Sequence, residues 1–160
     1  MYNGCIMDAP SPANSYQTAF VARLVASFAR AIGGDLMAEA ALDPAQLGQS
    51  AWEGCFALLT HDMSATLNYA NRFTLDLWDM DWETMRRTPS RLTAPEKDRA
   101  ERGHLMAAVA RDGFVRNYTG RRVSRSGKLF LIQQATVWTM TDESGAEFGT
   151  GAFFHSVEPL

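Results

Sequence analysis

Lys128-Leu-Phe-Leu-Ile-Gln-Gln-Ala-Thr-Val-Trp-Thr-Met-Thr141 runs for fourteen residues without glycine or proline and alternates bulky side chains along its length. Turn signals bound it on both sides: Arg125-Ser-Gly127 before it, Asp142-Glu-Ser-Gly145 after it. The flanking runs, Phe114 to Ser124 and Ala146 to Val157, have the same β-branched and aromatic character, so three successive antiparallel strands joined by tight turns are expected. At a period of two, one face of the central strand carries Phe130, Ile132, Gln134, Thr136, Trp138 and Met140; the other carries Leu129, Leu131, Ala135 and Val137. Both faces are mainly apolar, so both need covering.

Upstream segments supply the cover. Thr93-Ala-Pro-Glu96 reads as a capping box for a helix that ends at Asp112-Gly113. Asn71 is placed to cap a shorter helix through Phe73, Leu77 and Trp78, after a short strand over Thr66 to Ala70 and an apolar strand over Cys55 to Leu59. The sum is an α+β domain: a five-stranded antiparallel sheet with helices on one face. Asn14 or Ser15 caps an amphipathic helix carrying Phe20, Leu24 and Phe28 to Ile32, where Gly33-Gly34 stops it, and Asp43-Pro44 opens another through Leu47 and Ala51. We read residues 1–50 as a helical N-terminal extension and 51–160 as the sheet domain. The helix over 15–32 is the natural cover for the second face, alone or with a second subunit, so a homodimer is one way to close the fold.

Composition excludes several classes. The 160 residues are 46% hydrophobic and 21% charged, too apolar for a disordered chain. No apolar run reaches the roughly 18–20 residues of a membrane span, and the first residues have no basic-then-apolar leader, so a cytoplasmic location and no membrane partner are expected. Cys5 and Cys55 are too few for a disulfide framework, and no His, Cys or carboxylate set has metal spacing. The net charge is −3, yet residues 86–125 hold eleven Arg and Lys against four acids, a band of +7. Such a band is either a footprint for an anion or a set of solvated arginines. Nucleic acid is not the expected partner of a chain with a pI near 5.6.

Asn68-Tyr-Ala-Asn-Arg72, Pro89-Ser-Arg-Leu-Thr-Ala94, Arg99-Ala-Glu-Arg102, Tyr118-Thr-Gly-Arg-Arg122 and Val137-Trp138 resemble, in order and spacing, the MEKHLA domain, a family similar to PAS domains. The resemblance covers residues 51–157. It implies a PAS-like sheet with a ligand-sized cleft beneath its helices and a sensory or regulatory role, with output through a partner protein.

Three positions stand out beside that resemblance. Arg102 lies three, four and seven residues before Leu105, Met106 and Val109, so it shares the apolar face of its helix and needs a partner there, either Asp98, a strand Glu, or an anionic ligand. In the strand from 114, the pleat places Phe114, Arg116, Tyr118, Gly120 and Arg122 on one side, with Gly120 leaving space between Tyr118 and Arg122. Arg91 joins this group or ties down its own loop. Trp138 and Phe130 are core residues or an apolar wall for a planar ligand. His61 follows a strand and faces the cleft or caps the next turn. His104 sits where some PAS domains carry a haem-ligating histidine, but it points away from the Leu105–Val109 face, so haem is not expected and the cofactor is left open. Cys55 reads as a packed thiol. No nucleophile elbow, phosphate loop or dinucleotide fingerprint occurs, and no catalytic residue is assigned. The expected function is a non-catalytic module binding a small planar or anionic molecule. The alternatives are an enzyme using the same cleft, with His61 or Tyr118 carrying protons, and a pure interaction domain whose cleft is filled by its own side chains.

Overall fold

The computed structural model describes residues 7–160, so Cys5 lies outside the described residues. Six strands form one antiparallel sheet: β1 (Ala57–His61), β2 (Leu67–Ala70), β3 (Phe114–Val123), β4 (Leu129–Thr141), β5 (Glu147–Phe154) and β6 (Ser156–Pro159). Their order is β2-β1-β5-β4-β3. The single final strand expected from sequence is broken at His155, and its two parts pair successive stretches of β4, β5 with 136–141 and β6 with 130–133.

Among the described residues six α-helices accompany this sheet: α1 (Thr18–Ile32), α2 (Leu36–Glu39), α3 (Leu47–Glu53), α4 (Arg72–Leu77), α5 (Trp82–Met85) and α6 (Arg99–Asp112). Asn71 caps α4 by accepting the Thr74 N–H at 3.2 Å, and its amide donates to the carbonyls of Ala51 and Phe56. That one fully buried amide therefore ties α3, β1 and α4 together. The capping box at Thr93 is not formed. Pro95 forces Ala94 into extended backbone, the Thr93 hydroxyl donates to the Ser90 carbonyl at 2.7 Å, and α6 starts only at Arg99 after two short 3-10 turns.

Two β-bulges decide which side chains face which layer. Asn117 in β3 (φ 57°) and Gln134 in β4 (φ 54°) adopt left-handed backbone, and the β3–β4 register shifts between Val115 and Tyr118 and again between Tyr118 and Gly120. An inserted residue inverts a period-two pattern beyond it. Phe130 and Ile132 thus lie on the same face as Ala135 and Val137, and Trp138 is turned to the other. The single even-numbered face drawn from sequence is two half-faces. The same inversion sends Phe114 and Arg116 away from Tyr118, Gly120 and Arg122; Arg116 instead pairs with Glu39 at 2.7 Å.

The inner face, bearing Val137, packs on Leu105 and Val109 of α6. On the outer face lies α1. Its Phe28 meets the Trp138 ring edge-on at 5.1 Å, and Ser27 Oγ accepts the Trp138 indole N–H at 3.0 Å. Phe20, Val21, Leu24 and Phe28 of α1 belong to the main buried core. The outer face is therefore covered from within one chain.

Candidate functional site

Between the inner sheet face and α6 lies a cavity of about 60 Å³, walled by residues of β1, β3, β4, β5 and α6 and by the turn at Ser90 to Thr93. That is room for a small molecule only. Sites for drug-sized ligands run to roughly 300–1,000 Å³. Much of the cleft between the layers is filled by the protein itself: Trp78 meets Phe130 at 5.0 Å and Phe154 at 6.3 Å, edge to face.

Two guanidinium groups border this small space. Arg102 reaches it from α6, one turn before Leu105, and its Nη2 donates to Ser90 Oγ at 3.0 Å. Burial pulls its pKa down to about 10, and the charge of Arg122 pushes the same way. Arg122, 5% exposed, comes from β3. Its Nη1 donates to the Arg121 carbonyl at 2.7 Å, and its guanidinium lies 5.5 Å from the Tyr118 ring centre.

Asp98, the partner that sequence offered by name, is engaged elsewhere, and so is Glu101, beside Arg102 in α6. Asp98 pairs with Arg121 at 3.2 Å, and Glu101 accepts the Tyr118 hydroxyl at 2.7 Å. Among the described residues, no ion pair includes Arg102 or Arg122. Two like charges thus border one cavity, Arg122 buried and Arg102 half-buried, with neutral oxygens as their hydrogen-bond acceptors. Buried charge without a counter-charge is costly, and an anion in the cavity is the direct way to offset it.

His61 also lines the cavity. The Asp62 carbonyl can only accept, so the contact at 2.9 Å fixes His61 Nδ1 as a donor. Its Nε2 is buried and has no partner. Burial holds the imidazole below its usual pKa, and the charge of Arg102 adds to this. The neutral ring therefore presents a bare acceptor nitrogen. The remaining lining is mainly apolar, with Leu105, Ile132, Val137 and Phe154 among it, and carries the hydroxyls of Thr60, Ser90, Thr93 and Thr150.

The other residues singled out in the sequence lie near the cavity or away from it. Tyr118 does not line it. Its hydroxyl accepts from Arg122 at 3.4 Å and donates to Glu101, and its phenol ring occupies the space that the missing side chain of Gly120 leaves. Phe130 stands behind Trp78. Trp138 is on the outer face against α1, because of the Gln134 bulge, and cannot touch anything held in the cavity. Arg91 is exposed and outside the lining, as is His104. Cys55 is exposed rather than packed, since it sits in the bend before β1 begins at Ala57. Sequence reasoning passed over Ser90, Thr93 and Trp78. Ser90 was legible as the middle of Pro89-Ser90-Arg91, the hydroxyl twelve residues before Arg102. Among the described residues no group of three or more His, Cys, Asp or Glu is gathered to hold a metal ion, and no helix is long and apolar enough to cross a membrane.

An antiparallel sheet in the order 2-1-5-4-3, with short helices between its second and third strands enclosing a small cavity, defines a PAS-like domain. Solved structures agree. A PAS domain of a protein from Colwellia psychrerythraea superposes with a TM-score of 0.61 at 15% identity, over 72% of this chain and 95% of that one. A PAS domain from a two-component sensor histidine kinase gives 0.54 at 16%, over 68% and 88%. The PAS domain of a LuxR-family transcriptional regulator from Burkholderia thailandensis, solved with ethanol, gives 0.52 at 14%, over 74% and 98%. Residues 18–159 match the model of the MEKHLA domain, and the chain belongs to that family. No curated protein matches it by sequence. The match begins at the first residue of α1, so the helix on the outer face lies within it.

Proposed function

We propose that this domain is a non-catalytic sensory module that binds a small anion between α6 and the sheet and relays occupancy to a partner protein. The observation that carries the reading is the pair of guanidinium groups, buried Arg122 and half-buried Arg102, bordering one cavity with no carboxylate on either among the described residues. The enzyme alternative has little to stand on: Tyr118 is outside the cavity with its proton donated to Glu101, and the remaining titratable group, His61, has no acidic or nucleophilic partner in the lining. The geometry supports a relay: Arg102 joins α6 to the Ser90 turn, and an anion competing for that guanidinium would loosen their link.

Arg102→Met tests this. Removing a half-buried charge that lacks a counter-ion should raise the melting temperature of the ligand-free protein by a few degrees, about 1 kcal/mol, while abolishing the stabilisation that small anions (acetate, inorganic phosphate) give the wild type in a thermal-shift series at constant ionic strength. Equal anion responses in the two proteins, or none in the wild type, would overturn the reading.

A further inference from the structure

The polar lining of the cavity is not donor-only. Two guanidinium groups offer N–H donors to an anion, but His61 Nε2 offers a lone pair, because its Nδ1–H is committed to the Asp62 carbonyl. An occupant that satisfies all three must carry negative charge at one end and a hydrogen-bond donor near it. The aliphatic side chains of Leu105, Ile132 and Val137 then call for a short apolar remainder, and a cavity of about 60 Å³, far below the roughly 300–1,000 Å³ of a drug-sized site, admits only a small molecule. A bare phosphate matches the charge but leaves the aliphatic wall uncovered. A simple alkanoate covers the wall but leaves Nε2 unpaired, and an ammonium-bearing donor would meet two guanidinium charges.

From this juxtaposition we infer that the cavity selects a short hydroxy-monocarboxylate, its carboxylate on Arg102 and Arg122, its hydroxyl donating to His61 Nε2, and its carbon chain against the aliphatic wall. The inference rests on the anion reading above and narrows it to a chemical class. It also assigns His61 a role in specificity rather than in proton transfer.

The experiment is a calorimetric titration of the full chain with three three-carbon acids and one inorganic anion: 2-hydroxypropanoate, propanoate, 2-oxopropanoate and phosphate. The hydroxy acid should bind about tenfold or more tightly than propanoate or the oxo acid, since each of these leaves the buried nitrogen without a donor. In His61→Leu that preference should vanish while weak carboxylate binding persists. Equal affinities for the three carboxylates, or a preference for phosphate, would overturn the hydroxy-acid inference and leave the anion site standing. Absence of binding by all four would remove the anion site as well. The wild-type series decides between these outcomes even if the variant does not fold.

Discussion

Arg102 and His61 show how a residue's neighbours set what it can do. The guanidinium on the apolar face of α6 keeps its charge because arginine starts so far above neutrality: even pulled down to about 10, it stays protonated across the physiological range. A lysine there, starting near 10.4, would be pushed toward neutrality by the same burial. His61 is the opposite case. Burial first, then the Arg102 charge, hold its folded-state pKa below 6.5, and the Asp62 carbonyl only partly offsets them. In the unfolded chain the ring titrates near 6.5. As pH falls through that value the unfolded state gains a proton that the native state refuses, so stability is lost on acidification until the native ring protonates. The loss is at most about 1.4 kcal/mol per pH unit for this one group. In ligand-free buffer, His61→Gln should therefore gain on the wild type in melting temperature between pH 7 and pH 5. A gap between the two proteins that stays constant over that range would show His61 to be unperturbed.

At the scale of elements, the pairing of β1 with β5 inside the sheet controls where His61 stands. Gly149 in β5 has φ 150°, and a Cβ built there would run into the His61 carbonyl oxygen, a backbone atom that cannot swing aside. Gly149→Ala should destabilise the fold by about 2–3 kcal/mol and weaken anion binding, since relief requires moving the end of β1 that carries His61. Gly103, in the exposed middle of α6 with nothing within 4 Å of a built Cβ, is the internal control. Gly103→Ala should stabilise by about 0.5–1 kcal/mol through helix propensity. Denaturant midpoints of the two variants moving in the same direction would contradict this account. The elements were readable from sequence because each has a local physical cause: the Asn71 cap, the Gly127 and Gly145 turns, the long β-branched run of β4. The faces were not, because the bulges fall on Asn117 and Gln134, neither of them a glycine. Nothing local in Ile-Gln-Gln-Ala distinguishes a straight strand from a bulged one; the inversion is enforced by packing, with Val137 required under α6 and Trp138 required under α1. Arg102 and Arg122 were legible because both lie on unbulged periods next to apolar neighbours, whereas Trp138 lay beyond the bulge and was assigned to the wrong layer.

For the molecule as a whole, the position of α1 decides where the domain ends. Reading residues 1–50 as an extension treats α1 as an addition to a finished fold. Its contacts argue against separability: Leu24 and Phe28 are fully buried, Phe20 meets the Tyr69 ring at 5.6 Å, and the indole N–H of fully buried Trp138 has its partner on Ser27. Removing α1 would expose Trp138, Tyr69 and Met140 together and strand a buried donor. Each large aromatic contact is worth about 3–5 kcal/mol when deleted from a core, and total stability for a domain of this size is about 5–15 kcal/mol. A chain starting at residue 35 should accordingly lack a cooperative thermal transition, bind hydrophobic dyes and aggregate, whereas the full chain melts in one step. Because α1 already covers the outer face, a second subunit is not needed for that purpose, and the truncated chain should not be rescued by raising its concentration. If the truncated chain instead melts cooperatively within a few degrees of the full one, or does so as a concentration-dependent dimer, the outer sheet face has another means of burial, and α1 is an appendage to a core that begins near residue 51.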